Sequence, residues 1–197
     1  MCCLALGTIW AAGNGVFEGF NPLTRPRQER ERVSCLGNLR ALSLAMMQYQ
    51  DDHGDHYPPA QSRVRASPYG WADTLLPYFK DPLKLRCPGD ETPRSTSSAQ
   101  SGYTSYWINS NLSGRSGASL TPGPRTLLGE GGDGRDITDA RYSKASLPAW
   151  VDEEAGPSVR HAKGTKREAC YLWTSGITKS LTPREAHRYF GPTFKVR

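Results

Sequence analysis

The sequence lacks the short motifs that mark common enzyme classes. It has no G-x-S-x-G nucleophile elbow, no phosphate-binding P-loop, no H-E-x-x-H zinc signature and no dinucleotide-binding glycine fingerprint. His161 and Cys170 form the one histidine–cysteine pair that is close in sequence, but Cys170 lies in an apolar segment typical of a buried structural thiol. The sequence therefore predicts a protein that is not an enzyme.

Charge of one sign is nowhere concentrated. The net charge is +6, with 25 Lys and Arg against 19 Asp and Glu, and the two signs are interleaved along the chain. A nucleic-acid-binding surface needs a denser basic patch on one face, so we expect no nucleic-acid partner. Charge is also missing from the first 17 residues, because Glu18 is the first charged side chain. We interpret residues 1–20 as an apolar membrane anchor, with a buried or cleaved N-terminal segment as the alternative.

Closely spaced cysteine pairs of the C-x-x-C type are also absent. The five cysteines are Cys2, Cys3, Cys35, Cys87 and Cys170. Cys35 is expected on a helix and Cys87 in a Pro-Gly turn, so the two are candidates for a disulfide, because they could meet if the turn packs on the helix. Such a bridge would stabilise the fold by about 4 kcal/mol on chain-entropy grounds and would imply an oxidising compartment. The alternative is that both cysteines are reduced and buried as small apolar residues.

A long amphipathic helix is the clearest local pattern. After Pro26, no strong helix breaker occurs before Gly54. Apolar residues recur there at spacings of three and four, which predicts a helix that ends near Asp52 and packs through one face. These helix-packing and assembly residues are Leu36, Leu39, Leu42, Met46 and Tyr49. We assign residues 21–57 to this helix and its exit.

The remaining residues, 58–197, predict a small globular head. Residues 71–79 have the pattern of a short helix, and residues 103–109 and 125–130 that of strands. Residues 169–181 predict two strands that turn at Ser175-Gly176. The tail from Thr182 carries little pattern. The fold class is therefore α+β, with a long N-terminal helix on a small antiparallel sheet with long loops.

Two groups of polar residues are weak candidates for metal binding. His53 and His56 flank a glycine turn, but zinc needs three or four ligands, and nothing in the sequence brings His161 close to them. We therefore interpret them as solvated turn residues. Asp133, Asp136 and Asp139 form an acidic loop that is a weak calcium candidate, although its spacing is not that of an EF-hand.

The order of several short motifs resembles bacterial type IV pilin-like proteins and type II secretion pseudopilins of the prepilin-type cleavage/methylation class. Each motif is weak alone, and together they span most of residues 20–181. They are Ser34-Cys35, Asn38-Leu39-Arg40, Leu42, Leu44, Tyr49, Asp52 and Pro58-Pro59, Trp71 with Leu75-Leu76-Pro77-Tyr78, Cys87-Pro88 with Asp90, Ser105-Tyr106 with Asn109, and Thr126-Leu127-Leu128 with Glu130.

Two parts of the family pattern are missing. The Gly-Phe-Thr-Leu-Ile-Glu signature recognised by the prepilin peptidase does not occur. The family's C-terminal element has a histidine followed nine residues later by Asp-Gly-His. Here Arg160-His161 is followed after a longer gap by Ser175-Gly176-Ile177.

The resemblance implies a pilin-like fold and a structural subunit of a secretion or surface filament in the cell envelope. Its partners would be other pilin-like subunits, and it would be anchored in the inner membrane with an extracytoplasmic head. One alternative is a monomeric anchored module that binds a polymer such as a polysaccharide through loops 92–102, 110–123 and 131–147, with Trp107 and Trp150 stacking on sugars. The other is a metal-dependent enzyme.

Overall fold

The computed structural model describes residues 24–61, 69–120, 123–131, 136–146, 160–163 and 166–194. The segment 1–20 that we interpret as an anchor, and the candidate residues Asp133 and Trp150, lie outside these ranges. No helix in the described part of the chain is both long enough and apolar enough to cross a membrane.

The first helix, α1, runs from Thr24 to Asp52. Pro26 lies in its first turn, where backbone N–H groups have no intrahelical acceptor and a proline is tolerated. Gly54 and Asp55 both have left-handed backbone angles, with φ values of 60° and 63°. The chain therefore leaves the helix within three residues of Asp52, and the predicted end of the helix is confirmed.

Within the described ranges, six short strands form one mainly antiparallel sheet in the order β3-β1-β2-β5-β4, and β6 also pairs with β5. β1 pairs with β3 in parallel, and the other pairings are antiparallel. The strands are β1 Tyr106–Asn109, β2 Thr126–Glu130, β3 Ser143–Lys144, β4 His161–Lys163, β5 Lys166–Trp173 and β6 Thr178–Leu181. The predicted hairpin of residues 169–181 corresponds to the pairing of β5 with β6.

Two further helices flank this sheet. Helix α2, Trp71–Phe79, has the predicted bounds. Helix α3, Pro183–Thr193, occupies the tail that we expected to be patternless. A capping box begins α3, because the amide of Thr182 donates to Glu185 Oε2 at 3.0 Å and the amide of Glu185 donates to Thr182 Oγ1 at 3.4 Å.

The sheet is covered on both faces. Alternate residues of β5 enter two separate apolar clusters: Cys170 and Leu172 face α1, whereas Tyr171 and Trp173 face the opposite side with Phe194. This alternation is the period-two pattern of a strand buried on both sides. The molecule is therefore α+β, as predicted, with α1 and α2 packed on one face and the chain end on the other.

The apolar stripe of α1 is used inside the molecule. Leu39, Leu42, Met46 and Tyr49 are buried in the cluster against the sheet, and Leu36 packs on its edge. These side chains pack as expected on their own head domain. Contacts between copies, which we had also assigned to this stripe, would have to use another face of the helix.

Candidate functional site

Four metal-ligating side chains from four different elements meet beneath α1. Cys35 comes from α1, Cys87 from the turn after the 3₁₀ helix Pro82–Leu85, Glu130 from the end of β2, and His161 from the start of β4. All four residues are buried, and their donor atoms lie within 4.8 Å of one another. We refer to these four residues as the Cys–Glu–His cluster.

The distances within the cluster are short. His161 Nε2 lies 3.3 Å from Cys87 Sγ and 3.1 Å from Glu130 Oε2. Cys35 Sγ lies 3.5 Å from the same Glu130 oxygen. One carboxylate oxygen therefore connects the helix, through Cys35, to the strand that carries His161.

Backbone groups hold the donors in position. The amide of Cys170 on β5 donates to Glu130 Oε2 at 2.9 Å, which fixes the carboxylate at the edge of β2. The amide of Gly89 donates to Cys87 Sγ at 3.3 Å, and the amide of Cys87 donates to Ser105 Oγ at 3.0 Å. Three backbone amides thus fix the positions of the Glu130 carboxylate and of the turn that carries Cys87.

A second layer of charged residues surrounds the cluster. Arg160 lies between two carboxylates, with one nitrogen 3.7 Å from Glu130 Oε1 and another 3.5 Å from Asp90 Oδ1. Asp90 also accepts a hydrogen bond from Ser105 and lies 3.4 Å from Arg86. These ion pairs are shielded from solvent. Removing one partner would therefore leave a buried charge without compensation, which costs more than breaking an exposed pair.

Burial and mutual charge shift the pKa values of the cluster. Burial raises the pKa of both the Cys35 and the Cys87 thiols, so both are neutral near pH 7. Burial also opposes charge on Glu130, but the positive charges of His161 and Arg160 outweigh it and lower the carboxyl pKa to about 2. The charge of Glu130 likewise overcomes burial at His161 and raises its pKa to about 10. Without an added cation, the cluster is a carboxylate–imidazolium pair beside two thiols.

The predicted disulfide between Cys35 and Cys87 is not what the structure contains. The turn does pack on the helix and brings the two sulfurs into one site, as the prediction required. Both residues are free thiols, as is the nearby Cys170. Cys87 Sγ lies 3.3 Å from His161 Nε2, and Cys35 Sγ lies 3.2 Å from the Tyr106 hydroxyl.

The turn histidines lie apart from this cluster. His53 stacks on Tyr49, with its Nδ1 2.8 Å from the Tyr49 carbonyl oxygen. His56 Nδ1 lies 2.7 Å from the carbonyl oxygen of Gly54. Both side chains are exposed and their rings contact their own turn, as expected for solvated turn residues.

Two of the three calcium candidates are already paired with basic side chains. Asp136 Oδ1 lies 2.5 Å from Lys144 Nζ, and its other oxygen accepts from the Tyr142 hydroxyl at 2.7 Å. Asp139 Oδ2 lies 3.0 Å from Arg141. Each carboxylate is thus neutralised within the protein, an arrangement that offers little to a calcium ion.

The expectation that Trp107 stacks on a sugar is wrong. The Trp107 ring is fully buried in the cluster on the far face of the sheet, where it packs against Tyr171 and Phe194. Trp107 points to the opposite face of β1 from Tyr106 and Ile108. It is buried there because Phe194 and its neighbours in the second apolar cluster cover that face. Ring stacking with a ligand would require an exposed indole.

Sequence reasoning missed Glu130 as a site residue and left His161 unplaced. One usable signal was present: Glu130 is an acidic residue at the end of the apolar strand Thr126–Glu130, and all five residues of that strand are buried. A buried carboxylate requires a cationic partner, and Arg160-His161 is the adjacent basic-histidine pair. The distance between these segments along the chain concealed the contact.

No protein-family model matches this chain, and no curated protein or solved structure matches it either.

Proposed function

We propose that this chain is a pilin-like, non-enzymatic structural subunit of a bacterial cell-envelope secretion or surface filament. In this proposal, residues 1–20 anchor the chain in the inner membrane, and the head lies outside the cytoplasm. Neighbouring pilin-like subunits pack along the helix that links anchor and head.

The observation that carries this proposal is an apolar stripe on the outward face of α1. Val33, Leu44 and Met47 are exposed by 56%, 61% and 56%, although each is a large apolar side chain. Together with exposed Gly37 they recur at spacings of four, seven and three, so they share one side of the helix. We refer to Val33, Gly37, Leu44 and Met47 as the outer stripe.

The outer stripe fits helix-to-helix packing better than solvation. Leu44 and Met47 are large apolar residues on neighbouring turns, and Val33 lies on the same side three turns earlier, with the exposed Arg40 between them. Large apolar side chains are costly to leave in water, and an exposed group of them can mark an interaction surface. A glycine within it lets a second helix approach closely, as small residues do in other packed helices. Since α1 directly follows the segment that we interpret as an anchor, a neighbouring copy anchored in parallel would present its own α1 at the same height.

The family resemblance gains support from the Cys–Glu–His cluster. The motifs that carry the resemblance are scattered along the chain, yet residues from five of the quoted segments reach the same buried network. These residues are Cys35, Cys87, Asp90, Ser105, Glu130 and His161. A shared structural core gives a physical reason for such residues to occur together.

Site-specific photo-crosslinking tests the proposal. A photoreactive phenylalanine analogue placed at Leu44 or Met47 in membranes of the producing cell is expected to give covalent dimers of this chain, or adducts with a second pilin-like subunit identified by mass spectrometry. Ile137 is the matched control, because it is an equally exposed apolar residue (64%) on a loop of the head. Crosslinks at Leu44 and Met47 without crosslinks at Ile137 support assembly.

The opposite pattern supports the monomeric binding module. If Leu44 and Met47 give no adduct with this chain or another pilin-like subunit, while head loops become protected on addition of a polysaccharide, the filament proposal is wrong. Equal crosslinking at all three positions indicates non-specific crowding in the membrane and also counts against it.

A further inference from the structure

We propose that the Cys–Glu–His cluster is a structural zinc site, with Cys35 Sγ, Cys87 Sγ, His161 Nε2 and a Glu130 oxygen as its four ligands. The inference goes beyond the proposed assembly function, since it concerns how the head is held together. It does not require that the chain form a filament.

The spacing of the donor atoms fits a tetrahedral ion. Zinc bonds of about 2.0–2.3 Å place neighbouring ligands of a tetrahedron about 3.3–3.8 Å apart. Three donor pairs are already close to this separation, at 3.3 Å for Cys87 with His161, 3.1 Å for His161 with Glu130, and 3.5 Å for Cys35 with Glu130. The other pairs lie within 4.8 Å, so small side-chain rotations complete the tetrahedron.

The donor chemistry selects zinc over harder cations. Two sulfurs and one imidazole are soft or borderline ligands, whereas calcium and magnesium prefer oxygen alone. All four donors come from the protein and all are buried, which is the pattern of a closed structural site and not of a catalytic site that keeps a position for water.

The surrounding charges fit the same ion. Zinc with two thiolates, one carboxylate and a neutral imidazole carries one net negative charge. Arg160 lies 3.7 Å from Glu130 and supplies the compensating positive charge within a buried shell. On binding, the two thiol protons and the extra imidazolium proton pass to solvent, and the ion replaces them as the positive charge between the donors.

Several buried polar atoms around this cluster have no hydrogen-bond partner among the described residues. They are Glu130 Oε1, Arg160 Nη1, His161 Nδ1 and Glu168 Oε2. Glu168 is the residue directly opposite His161 in the β4–β5 pairing. A histidine that binds zinc through Nε2 usually donates its Nδ1–H to a carboxylate, and Glu168 is the carboxylate placed for that role.

A solvent-facing cavity lies next to the cluster. A polar cavity of about 480 Å³ lies between the start of α1 and the turn that carries Cys87, and its lining includes Gly89, Asp90 and Arg160. A Cβ at Gly89 would lie 3.4 Å from His161 Cε1, so the glycine separates this cavity from the ligand ring by a single atomic layer.

Metal analysis and absorption spectroscopy of the full chain test the proposal. The protein, purified in detergent with reductant and then dialysed against zinc and buffer, is expected to retain roughly one zinc per chain. X-ray absorption at the zinc edge should resolve sulfur near about 2.3 Å and nitrogen or oxygen near about 2.0–2.1 Å. Cobalt in place of zinc should give the intense visible bands of a tetrahedral site and a thiolate charge-transfer band.

Matched variants assign the ligands. Cys87→Ala and His161→Ala are expected to retain at least about ten-fold less zinc than the wild type. Cys170→Ala is the control, because Cys170 is a buried thiol next to the cluster but outside the four donors, and it should retain a full complement. The wild-type spectra keep the test decisive even if a ligand variant fails to fold.

Three outcomes overturn the proposal. The first is wild-type protein that retains less than about a tenth of a zinc per chain. The second is an absorption spectrum without sulfur ligands. The third is peptide mapping that finds Cys35 and Cys87 joined as a disulfide in protein from its native compartment. None of these results bears on crosslinking through the outer stripe, so the two proposals fail independently.

Discussion

Some positions in this chain accept only a small residue because segments distant in sequence approach them closely in the fold. Gly129 on β2 shows this most directly. A Cβ built there would lie 2.0 Å from Trp107 Cζ2 on the neighbouring strand β1. The glycine is therefore required for space, so that the buried indole can lie flat across β2.

We expect Gly129→Ala to destabilise the fold by at least about 2 kcal/mol, because the indole or the strand must shift in a packed layer. The measurement is the free energy of unfolding from chemical denaturation. Gly37→Ala is the matched control, since no atom lies within 4 Å of the added methyl group and alanine favours the helix by about 1 kcal/mol. A Gly129→Ala variant as stable as Gly37→Ala would contradict this account of the Trp107 packing.

The sequence allowed part of the candidate site to be predicted at this scale. Cys35 and Cys87 were identified because a helix stripe and a Pro-Gly turn are local patterns. Glu130 was not, because its role depends on Arg160 and His161, which reach it only through the β2–β5–β4 order of the sheet. Local patterns place residues on elements, but they carry no information on which elements become neighbours.

At the scale of secondary-structure elements, the residue that ends helix α2 has an unusual backbone conformation. Helix α2 ends at Lys80, which adopts a left-handed conformation with φ of 59° while its amide donates to the Leu76 carbonyl at 2.9 Å. This is the position at which helices usually carry glycine, because a side chain there meets the backbone. Lysine is thus tolerated at an energetic cost.

Lys80→Gly is expected to raise the free energy of unfolding by about 0.5–1 kcal/mol, since it relieves this backbone strain. The control is Lys84→Gly. Lys84 lies in the 3₁₀ helix Pro82–Leu85 and does not have a positive φ. That variant should be destabilised by a similar amount through added chain entropy. The measurement is the denaturant midpoint of each variant. If both midpoints shift in the same direction, strain at Lys80 is not the cause.

The secondary structure was predictable where the periodic pattern was long enough. Helices α1 and α2 and the hairpin of β5 and β6 follow from apolar spacing. Strands β3 and β4 have two and three residues, which is too short for a period of two to be recognised. Helix α3 has a capping box formed by Thr182 and Glu185, a signal that was present in the tail but was not used.

The whole molecule depends on covering both faces of a small sheet. The far face is closed by the chain end, where Phe194 packs on Trp107 with ring centroids 5.6 Å apart. The Phe194 carbonyl also accepts a hydrogen bond from Asn109 Nδ2 at 3.1 Å. Phe194, the last described residue, therefore belongs to the core, although it lies in a segment whose sequence looks like a tail.

Phe194→Ala is expected to cost about 3 kcal/mol and to expose the second apolar cluster to solvent. The measurements are thermal unfolding and binding of a hydrophobic dye. Tyr189→Ala on α3 is the control, because Tyr189 is 49% exposed and should change stability by less than about 1 kcal/mol. Equal effects of the two variants would show that the chain end does not seal this face.

The four donors of the Cys–Glu–His cluster span the chain from position 35 to position 161, and this spread has a kinetic consequence. Contacts between segments far apart in sequence raise the contact order, which slows folding because long loops must close before any contact is rewarded. The cluster lacks one of its four donors until His161 on β4 has been synthesised. A nascent chain that stops short of residue 161 would leave Glu130 without its histidine partner, so this cluster separates finished molecules from unfinished ones.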